Sequence, residues 1–203
     1  MNLKIGLLIF SVLTANIVWA QKAAVGKSSL PVSEIKKLAY ADSARLVNIF
    51  KDIHENPELG FMETRTAAIV AKELKFLGYE VITGIGKTGV VGMLKNGVGP
   101  IVMYRADMDC NSVKETTGLP YASKKTTINA DGVEVPVMHA CGHDAHTTWM
   151  MGIARIMVTL KSHWKGTLIM IGQPAEEPGI GADAMAAVMY QKGVPEPDFL
   201  LGM

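Results

Sequence analysis

The stretch TLIMIGQPAEEPGIGADAMAAVMYQK, residues 167–192, reads as a strand, a loop and a helix in immediate succession. Residues 167–172 form a short apolar run of the kind that is covered on both faces of a sheet. Residues 181–192 read as helix. Between them stands GQPAEEPG, 172–179. Pro174 and Pro178 push the residues before them away from helical angles, which places Glu176 and Glu177 on extended chain. Neighbours in extended chain point to different sides. One carboxylate can therefore bind a metal while the other handles a proton. In open α/β sheets, ligands bind beyond the carboxyl ends of strands, which is where this pair sits. The competing reading is a solvated surface pair.

Upstream, the same alternation continues. The spacing predicts a long helix from about Asp144 to Lys161, marked by Trp149, Met150, Ile153, Ile156, Met157 and Leu160. Strands are expected at 79–83, 90–94 and 101–107, separated by Gly-rich turns. Earlier still, helices are expected from Ser33 to Ile53 and from about Glu63 to Leu77, the second stopped by Gly78. HENPELG (54–60) ends the first of these. Residues 113–138 are polar, with N-A-D-G at 129–132 suggesting a hairpin, and DFLLGM (198–203) begins a further strand. Helices alternating with apolar strands indicate an α/β fold with a mostly parallel sheet.

Two more segments carry chemistry. MHACGHDAH (138–146) packs His139, Cys141, His143, Asp144 and His146 into one short run, with three of the chain's five His. Thiolate, imidazole and carboxylate are the transition-metal ligand set. Asp144 is placed to be the N-cap of the following helix, with Cys141 and His143 in the turn before it. The helix terminus and nearby imidazoles are expected to lower the Cys141 pKa. Gly142 allows the tight turn that lets Cys141 and His143 converge. The bland alternative is a buried Cys among unrelated His. In YRADMDC (104–110), Asp107 and Asp109 share one face at the end of an apolar strand. They read either as site carboxylates or as caps of the next turn. His54 and His163 have no nearby ligand partners in sequence and read as surface or core residues.

Composition narrows the function classes. The chain has 203 residues, 49% hydrophobic and 19% charged, which excludes wholesale disorder. Two Cys cannot build a disulfide framework. A net charge of +1, from 20 basic and 19 acidic residues, argues against a broad nucleic-acid-binding face. Residues 1–20, MNLKIGLLIFSVLTANIVWA, have the basic start, apolar run and small residues of a secretory signal peptide. The run is shorter than the roughly 20 residues that span a bilayer, so no stable membrane anchor is expected. Residues 21–31 read as a flexible mature N-terminus, and residues 32–203 as the folded part. The expected location is periplasmic or extracellular. In such a compartment Cys110 and Cys141 are candidates for a disulfide, against which stands the setting of Cys141 between His139 and His143.

Taken in order, HENPELGFMETRTA, RADMD, TGLPYAS, HACGHDAHT and QPAEEPGIGA closely resemble the amidohydrolase branch of the metal-dependent aminoacylase and carboxypeptidase superfamily. That branch includes N-acyl-amino-acid, hippurate and auxin-conjugate hydrolases. The resemblance runs from about His54 to the last residue. It implies a three-layer α/β/α catalytic domain and a site for two divalent metal ions. It implies Cys141, His143 and Glu177 as metal ligands and Glu176 as the general base. Asp109 looks like the strand-end Asp that orients the machinery. The implied reaction is metal-assisted hydrolysis of an amide in an N-acyl amino acid or a small peptide-like substrate. Thiolate plus imidazole favours zinc by softness, whereas the resemblance implies manganese or another divalent ion.

The chain also departs from the family. Where relatives continue RADMD with small or apolar residues and a Pro, this chain has CNSVKE, and residues 124–137 look like an inserted hairpin at the site mouth. The resemblance further implies two more His ligands and a lid or dimerisation domain downstream of Met203. The chain is therefore expected to be the N-terminal part of a catalytic domain that is incomplete at its C-terminus. It is expected to be inactive alone, from a parent that hydrolyses amides, can be a homodimer, and has His within a few positions after Met203. The alternatives are a non-catalytic fragment or binding remnant, and a cysteine-nucleophile hydrolase with Cys141 as attacker and His143 as base.

Overall fold

The computed structural model describes residues 32–203, so the signal peptide and flexible terminus expected at 1–31 lie outside the described residues. Helix α1 spans Val32–Glu55 and α2 spans Thr64–Phe76. Strands β1 (Glu80–Ile85), β2 (Gly89–Asn96) and β3 (Ile101–Asp107) follow, then the short pair β4 (Thr126–Ile128) and β5 (Glu134–Pro136). Helix α3 is His143–Thr159, β6 is Gly166–Gln173, α4 is Gly181–Met189 and β7 is Phe199–Gly202. Among the described residues, no helix is long and apolar enough to cross a membrane.

The main sheet has the order β1-β2-β6-β3-β7. Strand β6 pairs parallel with β3, which pairs parallel with β7. Strand β2 is antiparallel to both β1 and β6, so it alone runs against the other four. The cause is local. Only three residues join β1 to β2, enough for a hairpin and far too few for a crossover. The β3-to-β6 and β6-to-β7 connections each carry a helix, as parallel pairing requires.

Helices cover both faces. Val90, Leu94, Ala106, Leu168 and Met170 point to one side, where they meet Ile53 of α1, Val70 and Leu74 of α2, and Met150 and Met151 of α3. Val91, Met93, Met103, Ile169 and Ile171 point to the other, against Met185 and Met189 of α4. This is the period of two that makes each strand serve both layers, and the result is a three-layer α/β/α sandwich. Leu74 is fully buried, and its truncation to Ala should cost about 3 kcal/mol.

The topology fixes where chemistry can occur. Because β3 and β6 are parallel, with Asp107 opposite Gln173, both strands end at the same sheet edge. The RADMD and QPAEE segments leave the sheet there, and α3 begins at that edge. One expected detail is corrected. The N-cap of α3 is Gly142, at φ 83°, not Asp144. Asp144 lies in the first turn, where Oδ1 accepts from the Ala145 amide (2.8 Å) and Oδ2 faces His54.

Candidate metal centre

At the shared edge, the ligand atoms of Cys141, His143 and Glu177 all lie within 4.8 Å of one another. His143 is buried, while Cys141 and Glu177 are open to solvent. The His143 ring is held in one orientation. Its Nδ1 is 2.9 Å from the Asp109 carbonyl oxygen. A carbonyl can only accept, so Nδ1 carries the proton and donates it. The lone pair is then on Nε2, which faces Asp107 at 3.4 Å and Glu176 and Glu177 at 3.7 Å each. A backbone carbonyl that fixes the tautomer of an imidazole is the usual outer support of a metal-binding His.

Asp109 sets the glutamate loop. Its Oδ1 accepts from the Glu176 amide and its Oδ2 from the Glu177 amide, each at 3.0 Å. Burial alone would raise its pKa. The His143 ring and the Glu177 and Glu176 amides outweigh burial and hold the carboxyl below the ordinary range. Burial alone would lower the His143 pKa, and the Asp109 and Asp107 carboxylates carry it above the usual value. The site residues expected from sequence are thus brought together by the ends of β3 and β6 and the start of α3.

The expected lowering of the Cys141 pKa is corrected. A hydrogen bond with the Glu177 carboxylate is the largest effect on this thiol and raises its pKa, with the Glu177 and Glu176 charges adding to it. Close carboxylates outweigh the helix terminus. A thiol so placed is a poor free nucleophile. The donor set of thiol, imidazole and clustered carboxylates instead fits a divalent cation, whose charge would reverse that shift. Asp107, His143 and His146 form a second convergent group that shares His143. Its carboxylate is already engaged by Arg105 Nη1 at 2.9 Å and His146 Nδ1 at 2.7 Å, so a cation there competes with a guanidinium. The first group is the better fit.

Both cysteines are free, Cys110 buried and Cys141 exposed. Burial pushes the Cys110 thiol pKa well up, so it is inert as a thiolate. Cys110 lines a cavity of about 620 Å³ that reaches Glu177 and is walled by Leu59, Phe61, Met62 and Ile180. Ile128, from the predicted hairpin, forms another wall. That hairpin is β4–β5, and its turn is pinned by Asn129, whose Oδ1 accepts from the Val133 amide at 2.9 Å.

Sequence reasoning missed several supports. His54 has partners after all, with Nδ1 2.6 Å from Asp144 Oδ2 and Nε2 3.2 Å from Glu115 Oε1. Asn111 places its Nδ2 3.8 Å from Cys141 Sγ. Glu63 is fully buried and bonded to the amide of Ala175, next to Glu176. No local pattern marks these residues, because each partner is remote in sequence.

The sequence profile of peptidase family M20/M25/M40 matches residues 103–203. A hippurate hydrolase of Campylobacter jejuni is 50% identical over 134 residues, covering 66% of this chain and 32% of that protein. An N-acetylcysteine deacetylase of Bacillus subtilis is 40% identical over 152 residues, covering 74% of this chain and 38% of that protein. A solved dinuclear metal-binding M20-family peptidase of Bacillus subtilis superposes with a TM-score of 0.69 at 35% identity. That match covers 81% of this chain and 43% of the other. The chain thus spans well under half the length of these relatives.

Proposed function

From its membership of peptidase family M20/M25/M40, the metal-dependent aminoacylase and carboxypeptidase superfamily, we propose that this protein takes part in hydrolysis of the amide bond of N-acyl amino acids or small peptide-like substrates. The observation that carries this reading is the convergence of Cys141, His143 and Glu177 within 4.8 Å at the carboxyl edge of the sheet. These three residues would hold a divalent ion, manganese or zinc, with a second ion alongside in the complete site. Such ions polarise the scissile carbonyl and lower the pKa of attacking water.

The chain's own residues supply the rest. His143 presents Nε2 because Asp109 takes its Nδ1 proton. Asp109 also fixes the direction of Glu176 and Glu177 through their amides. Glu176 is half-buried on the same loop and free of ligand duty. Its carboxylate takes a proton from water and returns it to the leaving amine. The apolar cavity beside Glu177 has room for an acyl or side-chain substituent. Residues 1–20 support export of the protein. We further infer that the full reaction draws on residues outside this chain. Metal-dependent hydrolysis by the 203-residue chain alone would overturn that inference.

The test is chelation. The full-length protein should lose N-acyl-amino-acid hydrolysis with a chelator and regain it with manganese or zinc. Hydrolysis indifferent to chelator would replace this reading with thiol chemistry at Cys141.

A further inference from the structure

We propose that Glu63 is the positioning residue for the glutamate loop, the counterpart of Asp109 on the loop's other side. The proposal rests on the metal-centre reading given above. Three consecutive amides, those of Ala175, Glu176 and Glu177, are each accepted by a fully buried carboxylate. Asp109 takes the last two. Glu63 takes the first, with Oε1 at 2.8 Å from the Ala175 nitrogen.

Backbone strain gives the second line of support. Among the described residues, the non-glycine residues with positive φ are Phe61 (64°), Lys87 (82°) and Ala175 (47°). Such angles are disfavoured for residues with a Cβ and persist where the surroundings enforce them. Glu63 bonds the amides of two of them directly and the chain neighbour of the third. Its Oε1 also accepts from the Phe61 amide at 3.0 Å, and its Oε2 accepts from the hydroxyl of Thr88, next to Lys87. One buried carboxylate therefore clamps the approach to α2, the β1–β2 turn and the residue that launches Glu176. Gly60 completes the fit, since a Cβ there would meet Ala175 Cα at 3.1 Å. Released from Glu63, Ala175 loses the bond that holds its amide at this left-handed angle, and relaxation swings Glu176 and Glu177 away from His143.

Cobalt(II) titration of the protein tests this, read by the thiolate-to-cobalt and ligand-field absorption bands. The spectrum reports ligand geometry and does not need turnover. Glu63→Ala should bind cobalt about 10- to 100-fold more weakly, with altered bands. Glu63→Gln keeps an oxygen for the two amides, and its NH2 can donate to the Thr88 hydroxyl. It should therefore restore affinity to within about threefold of the parent. If Glu63→Ala does not fold, Glu63→Asp replaces it. It keeps the charge but is one methylene too short to reach Ala175, and should show the same loss. Unchanged affinity and bands in a folded Glu63→Ala or Glu63→Asp protein overturn the proposal. Failure of Glu63→Gln to rescue also overturns it, by pointing to fold maintenance alone. Cobalt that never acquires a thiolate band in the parent defeats the metal-centre reading itself, a separate result.

Discussion

His54 Nδ1 lies 2.6 Å from Asp144 Oδ2, tying the end of α1 to the first turn of α3 across ninety positions of sequence. The other ring nitrogen reaches Glu115 at 3.2 Å, so one imidazole sits between two carboxylates. Burial alone would lower its pKa. The hydrogen bonds to Asp144 and Glu115 carry it above the ordinary value. A raised folded-state pKa gives stability that is fully present below the unfolded value near 6.5. It is lost as pH rises through the folded value. His54→Gln should therefore cost about 2 kcal/mol at pH near 6 and clearly less at pH near 9. Urea midpoints at the two pH values check this, and an equal cost at both would refute a charged His54.

His139 predicts the opposite dependence. It is 5% exposed, and neither ring nitrogen has a hydrogen-bond partner among the described residues. Burial, with the His143 and His54 charges adding to it, takes its pKa down to about 4, against the pull of Asp144 and Asp109. A depressed folded-state value gives stability that is present above the unfolded value near 6.5 and lost as pH falls through about 4. Its protonation should remove about 3 kcal/mol across that window. His139→Leu should flatten the acid limb of a melting-temperature profile. A parallel profile would remove His139 as its source.

Much of this site was legible because its residues announce themselves locally. Asp109 stands at period two on the end of an apolar run, Glu176 and Glu177 between two prolines, and Cys141 and His143 around a glycine at φ 83°. The strand order β1-β2-β6-β3-β7 was less legible, because β2 pairs with β6 across 70 or more positions. Glu63 and His54 were hidden for the same reason. A Glu at a helix start reads as a cap, and a His at a helix end as a favourable charge. Only the fold shows that they serve Ala175 and Asp144.

The two neighbouring glutamates should separate by measurement. Glu177→Gln and Cys141→Ser replace an anionic carboxylate and a soft sulfur donor of the convergent group and should lower bound metal by elemental analysis. In the full-length protein, Glu176→Gln should retain metal and lose turnover of an N-acyl amino acid by about 10²- to 10⁴-fold. Turnover that survives Glu176→Gln would transfer the proton role to another residue.

Gly181 tests how tightly the loop and the helix behind it are coupled. It is the first residue of α4, and its amide donates to the Ala175 carbonyl at 3.0 Å. A Cβ on it would sit 1.6 Å from the Pro174 oxygen. That atom is backbone and cannot rotate away, so Gly181→Ala must displace residues 174–175. The displacement lengthens the Ala175–Glu63 bond and drags Glu176 and Glu177 from Asp109. The cost should be about 3 kcal/mol of stability, with metal affinity reduced about tenfold or more. Gly193 is the control. It has φ 85° and open space where a Cβ would stand, so Gly193→Ala should cost about 1 kcal/mol from backbone strain and leave metal affinity unchanged. If Gly181→Ala matched Gly193→Ala in both melting temperature and metal affinity, the start of α4 would not be what holds the glutamate loop against the sheet edge.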